Sequence, residues 1–234
     1  MGIFETIFIV ASSWVTSIIS VVVGIAGGIV LLSLMTFVMP VSQLIPIHGA
    51  IQLVSNSSRC FYLRRSVIKL IFFYFLVGLP FGTFTAIKII KSLDSSTLPL
   101  VLILCLILYT LLKPKKMPEI KIPYWGFFLI GICIGILGPL IGATGPFLAP
   151  FFLREDFTKD QTVATLSSIQ TVGHLIKIPT FLYLGFAYLD YALIIVLMSF
   201  ATILGTRYGV RLLGKMDERF FRLLFRGGLE YQFL

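Results

Sequence analysis

Two sets of side chains in this sequence are of kinds that bind ions, and they recur at matching intervals. Gln52, Asn56 and Arg59 form the first; Gln170, His174 and Lys177, 118 residues further on, form the second. In both, the cation follows the glutamine by seven residues, two helical turns, so the pair shares one helix face. Ser55 and Thr171 lie on or beside that stripe. Upstream of each set an apolar run is broken by small residues: Gly24, Gly27 and Gly28 in the first, Gly142, Thr144 and Gly145, followed by Pro146, in the second. Without a gap, the two stretches superpose Gly24 on Gly142, Gly27 on Gly145 and Gln52 on Gln170. Amide, imidazole, guanidinium and ammonium groups all donate hydrogen bonds, the last two with a full positive charge, so the chemistry these sets suit is anion binding.

The glycines supply the rest of that chemistry. A break inside a membrane segment bares backbone groups that hydrocarbon cannot satisfy, so it is tolerated only beside protein or a water-filled cavity. The returning half-helix points its free N–H groups and positive dipole end at the break, near Gly27 and Gly28 in one copy and Gly145 in the other. The predicted substrate-binding residues are therefore Gly27, Gly28, Gln52, Asn56, Arg59, Thr144, Gly145, Gln170, His174 and Lys177. The competing readings are that the glycines let helices pack closely, that Arg59 and Lys177 snorkel to the interface, and that His174 is a packing residue. His48, close to Pro46, is expected near a helix end, and Arg207 is a second-tier candidate.

The elements that would hold these residues are membrane helices. Hydrophobic residues make up 58% of the 234-residue chain and charged residues 12%, far below the roughly 25% of soluble domains. The mean hydropathy is +1.01. Several runs are long enough for the ~20 residues a crossing needs. The net charge of +9 sits in clusters flanking apolar runs, where it orients helices, so no nucleic-acid partner is expected. Cys60, Cys105 and Cys133 have no metal-type spacing, and no metal or other cofactor is expected. No cleaved leader is read at the start.

The apolar segments run from 3 to 39, about 44 to 63, 67 to 90 and 98 to 112, then 124 to 153, 161 to 184 and 188 to 213. A basic, proline-bearing connector at 113–123 divides them into a first repeat, 1–112, and a second, 124–234. The third segments match after a further shift of five, Gly82 and Thr83 over Gly205 and Thr206. If the first element of each half crosses once, the loop cations split eight against eight between the two faces. If each folds back as a hairpin, thirteen share one face, with only Lys88, Lys91 and Arg226 opposite, as the positive-inside bias requires. The expected fold is thus an all-α polytopic membrane protein of two inverted-topology repeats, each a glycine-broken hairpin plus three further transmembrane helices.

With Gly24 to Gly28, the Pro40 to Pro46 stretch, Gln52 to Arg59 and Arg64-Arg65, and with Gly135 to Pro150, Ala164-Thr165 and Gln170 to Lys177, the chain resembles the TauE/SafE sulfite exporter family over about residues 5 to 225. The resemblance implies a permease for sulfite or small organosulfonates, in the cell membrane, with a small anion and membrane lipid as partners; a homo-oligomer is left open. Two readings from other classes stand beside it. One is an intramembrane hydrolase pairing Ser55, Asn56 or Ser168 with His174, which lacks a Gly-x-Ser-x-Gly elbow. The other is a membrane scaffold without transport.

Overall fold

The computed structural model describes residues 2–24, 26–92 and 120–227. The segment expected at 98–112, most of the connector, Cys105 and the last seven residues lie outside the described residues. Among those described the chain is all helical. The first half holds α1 (Ile3–Val22), α2 (Ala26–Met35), α3 (Val41–Leu63) and α4 (Lys69–Ser92). The second holds α5 (Phe127–Ile141), the single turn α6 (Gly145–Leu148), α7 (Lys159–Leu175), α8 (Lys177–Tyr183), α9 (Ala192–Lys215) and α10 (Glu218–Gly227).

Among the described residues, four helical stretches are long and apolar enough to cross a membrane: Ile3–Val22, Lys69–Ser92, Tyr124–Ile141 and Tyr188–Lys215. Their exposed Phe, Leu, Ile and Val side chains are what lipid would cover. At 23 residues α3 has the length to cross as well, but Gln52, Ser55, Asn56 and Arg59 lower its hydropathy.

Both expected breaks are present. Gly24 between α1 and α2 has φ +88°, and Gly142 between α5 and α6 has φ +84°, a left-handed backbone that strains any residue with a Cβ. The first hairpin closes tightly: a Cβ on Gly27 would lie 2.0 Å from the Thr16 carbonyl oxygen and 2.1 Å from Ser20 Oγ. The segment expected as one helix over 161–184 is two, α7 and α8, parted at Ile176. Pro179 is the cause, since it has no N–H for the Leu175 carbonyl and its ring crowds that group. Pro46, by contrast, sits inside α3 without ending it, so His48, expected near a helix end, is buried in the helix body.

The halves pack in corresponding ways. The bounds of α9 lie 123 residues beyond those of α4 at both ends, which continues the register of the sequence repeat. α4 packs on α5, and α9 packs on α1 in the matching place. Small residues make both contacts. Gly82 of α4 meets Gly135 of α5, Gly78 lies against the backbone of Phe128 and Ile132 and Gly131 against that of Phe75 and Leu79, while Gly205 and Gly209 of α9 meet Trp14, Ser17, Ile18 and Val21 of α1. Helices in lipid have no hydrophobic drive to associate, so close backbone approach supplies the attraction. Between these pairs α3 packs on α7. His48 and Gly49 lie against His174 and Lys177, whereas the backbone N–H of Ile68, just past α3, donates to Thr165 Oγ1 at 2.9 Å; the two helices therefore run antiparallel.

The loop from Arg154 to Thr158 leads into α7 and is tied to the far end of the chain. Arg154 forms a bidentate pair with Asp156, at 2.9 and 2.7 Å, which holds the Asp156 carboxyl below its ordinary value. Arg222 of α10 donates to the carbonyls of Arg154, Glu155 and Phe157. Glu218 accepts from the Lys159 backbone N–H at the start of α7. On its inner side α10 buries Phe221 and Phe225, and the Phe225 ring lies directly over Gly24.

Candidate functional site

The buried polar face of α3 carries His48, Gln52, Ser55, Asn56 and Arg59, at spacings of three and four that keep them on one side of the helix. Arg59 is 2% exposed, and its guanidinium points inward. It donates through NH1 to the Ser20 carbonyl at 2.8 Å and through NH2 to Asn56 Oδ1 at 2.7 Å. Asn56 Nδ2 in turn donates to the Gln52 carbonyl at 2.8 Å. Ser20 lies in the last turn of α1, whose carbonyls have no helical partner and carry the negative end of the dipole. The cation of the first half thus closes the outgoing arm of its own hairpin.

Lys177 does the same in the second half. It is 1% exposed, and its Nζ donates to the carbonyl of Gly142, the residue that ends α5, at 2.6 Å. Its aliphatic stem passes between two glycines: a Cβ on Gly138 would lie 3.1 Å from Lys177 Cε, and one on Gly49 3.5 Å from Cδ. Nζ also stands 3.3 Å from His174 Nδ1. Neither buried cation snorkels, and among the described residues neither has a carboxylate partner. Even on lenient scales a cation at mid-membrane costs ~2.5–3.5 kcal/mol, so two of them without an acid make a region prepared for negative charge.

His48 joins the two halves of this cluster. It is fully buried, its Nε2 lies 2.8 Å from the Gly28 carbonyl, and its ring meets that of His174 edge-on with centroids 6.2 Å apart. Gly28 also faces Gln52, because a Cβ there would come within 3.4 Å of Gln52 Nε2. Gly28, Gln52, Asn56, Arg59, His174 and Lys177 are accordingly brought into one buried polar region. Gly27 faces α1 and serves the closure of the hairpin. Thr144 and Gly145 are buried at the second break, where α6 lasts only one turn and the Thr144 side chain makes no capping bond. Gln170 is half-buried, and its side chain makes no hydrogen bond to any described residue.

His48 is the residue that the sequence reading missed. Its signal was present, since it stands one helical turn before Gln52 on the stripe that leads to Asn56, but Pro46 pointed to a helix end instead. Arg207, a second-tier candidate, is exposed on the outside of α9.

Three buried side-chain atoms on this face of α3 lack a hydrogen-bond partner among the described residues: His48 Nδ1, Ser55 Oγ and Arg59 Nε. Buried polar groups are nearly always paired, so these mark where a bound molecule or water belongs. The arrangement is unsuited to hydrolysis. Ser168 Oγ donates to the Thr165 carbonyl, and among the described residues no serine hydroxyl is hydrogen-bonded to His174 or His48. Nucleophile and base are thus not brought within reach.

Gln52→Ala removes a buried donor without touching either cation. Neutral hydrogen bonds contribute ~0.5–1.5 kcal/mol and those to charged groups ~1.5–3 kcal/mol, so anion affinity is expected to fall about tenfold. An affinity within twofold of wild type, from titration of the purified protein, would remove Gln52 from the site.

A family model described as Sulfite exporter TauE/SafE matches residues 9–229. Comparison with curated proteins and with solved structures gave no match.

Proposed function

The chain belongs to the sulfite exporter TauE/SafE family, and from that premise we propose that it moves a small sulfur-containing anion, sulfite or an organosulfonate such as sulfoacetate, across the cell membrane. The family is one of transporters and not of enzymes. One observation carries the reading of the site: Arg59 and Lys177 are both buried among membrane helices and bonded only to neutral partners. A tetrahedral –SO3 group between α3 and α7 would receive charge-assisted hydrogen bonds from them, from Arg59 Nε in particular, and from the Gln52 amide.

The transporter is built, on this reading, of inverted-topology repeats with the substrate near mid-membrane between them. Support comes from the antiparallel packing of α3 on α7, since equivalent helices that run oppositely are related by an axis lying in the membrane plane. Further support comes from the left-handed glycines at equivalent breaks, Gly24 and Gly142. A monoanion leaving alone, without a coupled ion, gains ~2.3 kcal/mol per 100 mV of negative-inside potential.

Liposomes containing the purified protein are expected to take up labelled sulfite or sulfoacetate faster than empty liposomes, and unlabelled sulfite is expected to compete. If neither anion is taken up or bound, the substrate class is wrong.

A further inference from the structure

Arg59 and Lys177 supply the charged donors of the anion-binding reading, and the cluster also holds two buried imidazoles, His48 and His174, a kind of group that can bind a proton as well as donate to an anion. We infer that His48, with His174 and Lys177 beside it, forms a proton-binding site that fills together with the anion, so that the protein moves its substrate with a proton. This rests on the anion-transport reading above and adds the coupled ion to it.

The geometry fixes the resting form of His48. A carbonyl oxygen only accepts, so the nitrogen 2.8 Å from the Gly28 oxygen, Nε2, carries the ring hydrogen. Nδ1 of the neutral ring is then a bare lone pair, and it is buried without a partner. A proton arriving there leaves the Gly28 bond intact and turns Nδ1 into a second donor.

His174 is differently placed. Its Nδ1 faces the Lys177 ammonium at 3.3 Å, so as long as Lys177 is charged that nitrogen accepts and does not take up a proton. The free site in the pair is His48 Nδ1.

The surrounding charges explain why the proton and the anion arrive together. The titratable groups facing His48 are His174 of α7 and Lys177 of α8, with Arg59 further along α3 itself. α2 has no titratable side chain, and α5 has only Cys133, which is exposed. Arg207, Arg211 and Lys215 of α9 are exposed, as are Asp190 in the turn before it and Arg64 and Arg65 after α3; that turn also brings Tyr188 and Tyr191, partly buried. No carboxylate reaches the cluster among the described residues, so the only negative charge that can offset a third cation is the substrate. Binding an anion favours protonation of His48, and protonation favours the anion by the same factor, as linkage requires. A monoanion crossing with this proton moves no net charge.

Calorimetric titration of the purified full-length chain with sulfoacetate, fully ionised at neutral pH, tests this in two buffers of different ionisation enthalpy. The difference in apparent binding heat gives the number of protons exchanged per anion. Wild type is expected to take up about one proton per sulfoacetate bound. His48→Gln, whose amide N–H can still reach the Gly28 carbonyl, is expected to take up none at saturating anion. Equal heats in both buffers for wild type overturn the proton site while leaving the anion site standing. Full uptake retained by His48→Gln overturns His48 as the acceptor. No binding heat with sulfoacetate or with sulfite overturns the substrate reading and this inference with it. The wild-type comparison decides the question even if the variant does not fold.

Discussion

Gly82→Leu is expected to lower the melting temperature of the purified protein by about 6–12 °C. A Cβ at this position would lie 1.9 Å from the Ile132 carbonyl oxygen and 2.9 Å from the Gly135 Cα, both backbone atoms that no side-chain rotation can move away. On the other side of the contact, a Cβ on Gly135 would lie 2.4 Å from the Leu79 oxygen, so the fit is mutual. Overpacking in well-fitted interiors costs ~1–3 kcal/mol and sometimes more. The upper end applies because the helix axes themselves must separate. At ~2–4 °C per kcal/mol for a chain of this size, that gives the stated shift. Gly214→Ala is the control, since a Cβ there meets nothing within 4 Å and is expected to leave the melting temperature within about 1 °C. If Gly82→Leu melts with wild type in a dye-based or size-exclusion assay, the close α4–α5 contact is wrong.

Lys177→Met is expected to weaken sulfite or sulfoacetate binding by about 10- to 100-fold, and Arg59→Met by a similar factor. Both figures follow from the ~1.5–3 kcal/mol of a hydrogen bond to a charged group. The double variant is expected to show no measurable binding, because the two cations are the buried charges of the region. Each also holds a helix-end carbonyl, of Gly142 or of Ser20, so some stability is lost as well. Affinity is therefore compared below the melting transition of each variant. Lys177→Arg separates charge from shape: the stem lies between Gly49 and Gly138, where a planar guanidinium does not occupy the space of an ammonium. Weakened binding in Lys177→Arg alongside loss in Lys177→Met is the expected pattern. Unchanged affinity in Arg59→Met or in Lys177→Met would make that cation a helix cap and nothing more.

Much of this was legible in the residues. Membrane character followed from hydropathy, because hydrocarbon excludes charge and a helix must be about 20 residues long to cross it. The breaks at Gly24 and Gly142 followed from glycines repeated in register, and both adopt backbone that only glycine takes without strain. The family resemblance read from the duplicated motifs over about residues 5 to 225 agrees with the family match at 9–229. The stripe of Gln52, Asn56 and Arg59 followed from helical periodicity, a local property.

Other features depend on neighbours that a single stretch of sequence does not specify. Gly27 and Gly28 are adjacent and identical in type, yet one faces the α1 backbone and the other Gln52, because successive helical residues point about 100° apart and only the packing partner gives each direction a meaning. Whether Arg59 snorkels or turns inward was open in the sequence. The carbonyl of Ser20, 39 residues away, receives it. His48 looked peripheral because proline usually marks a helix end, but Pro46 costs α3 one hydrogen bond and the helix continues, while Pro179 near the start of α8 parts that helix from α7. The sequence by itself determined which groups could bind an anion and on which helix faces they stand, since composition and periodicity are local. Tertiary structure alone decided that Lys177 meets Gly142 and His174, and that His48 faces His174 across the two halves, because those contacts arise where α3 and α7 pack antiparallel and hairpin ends from distant parts of the chain come to rest between them.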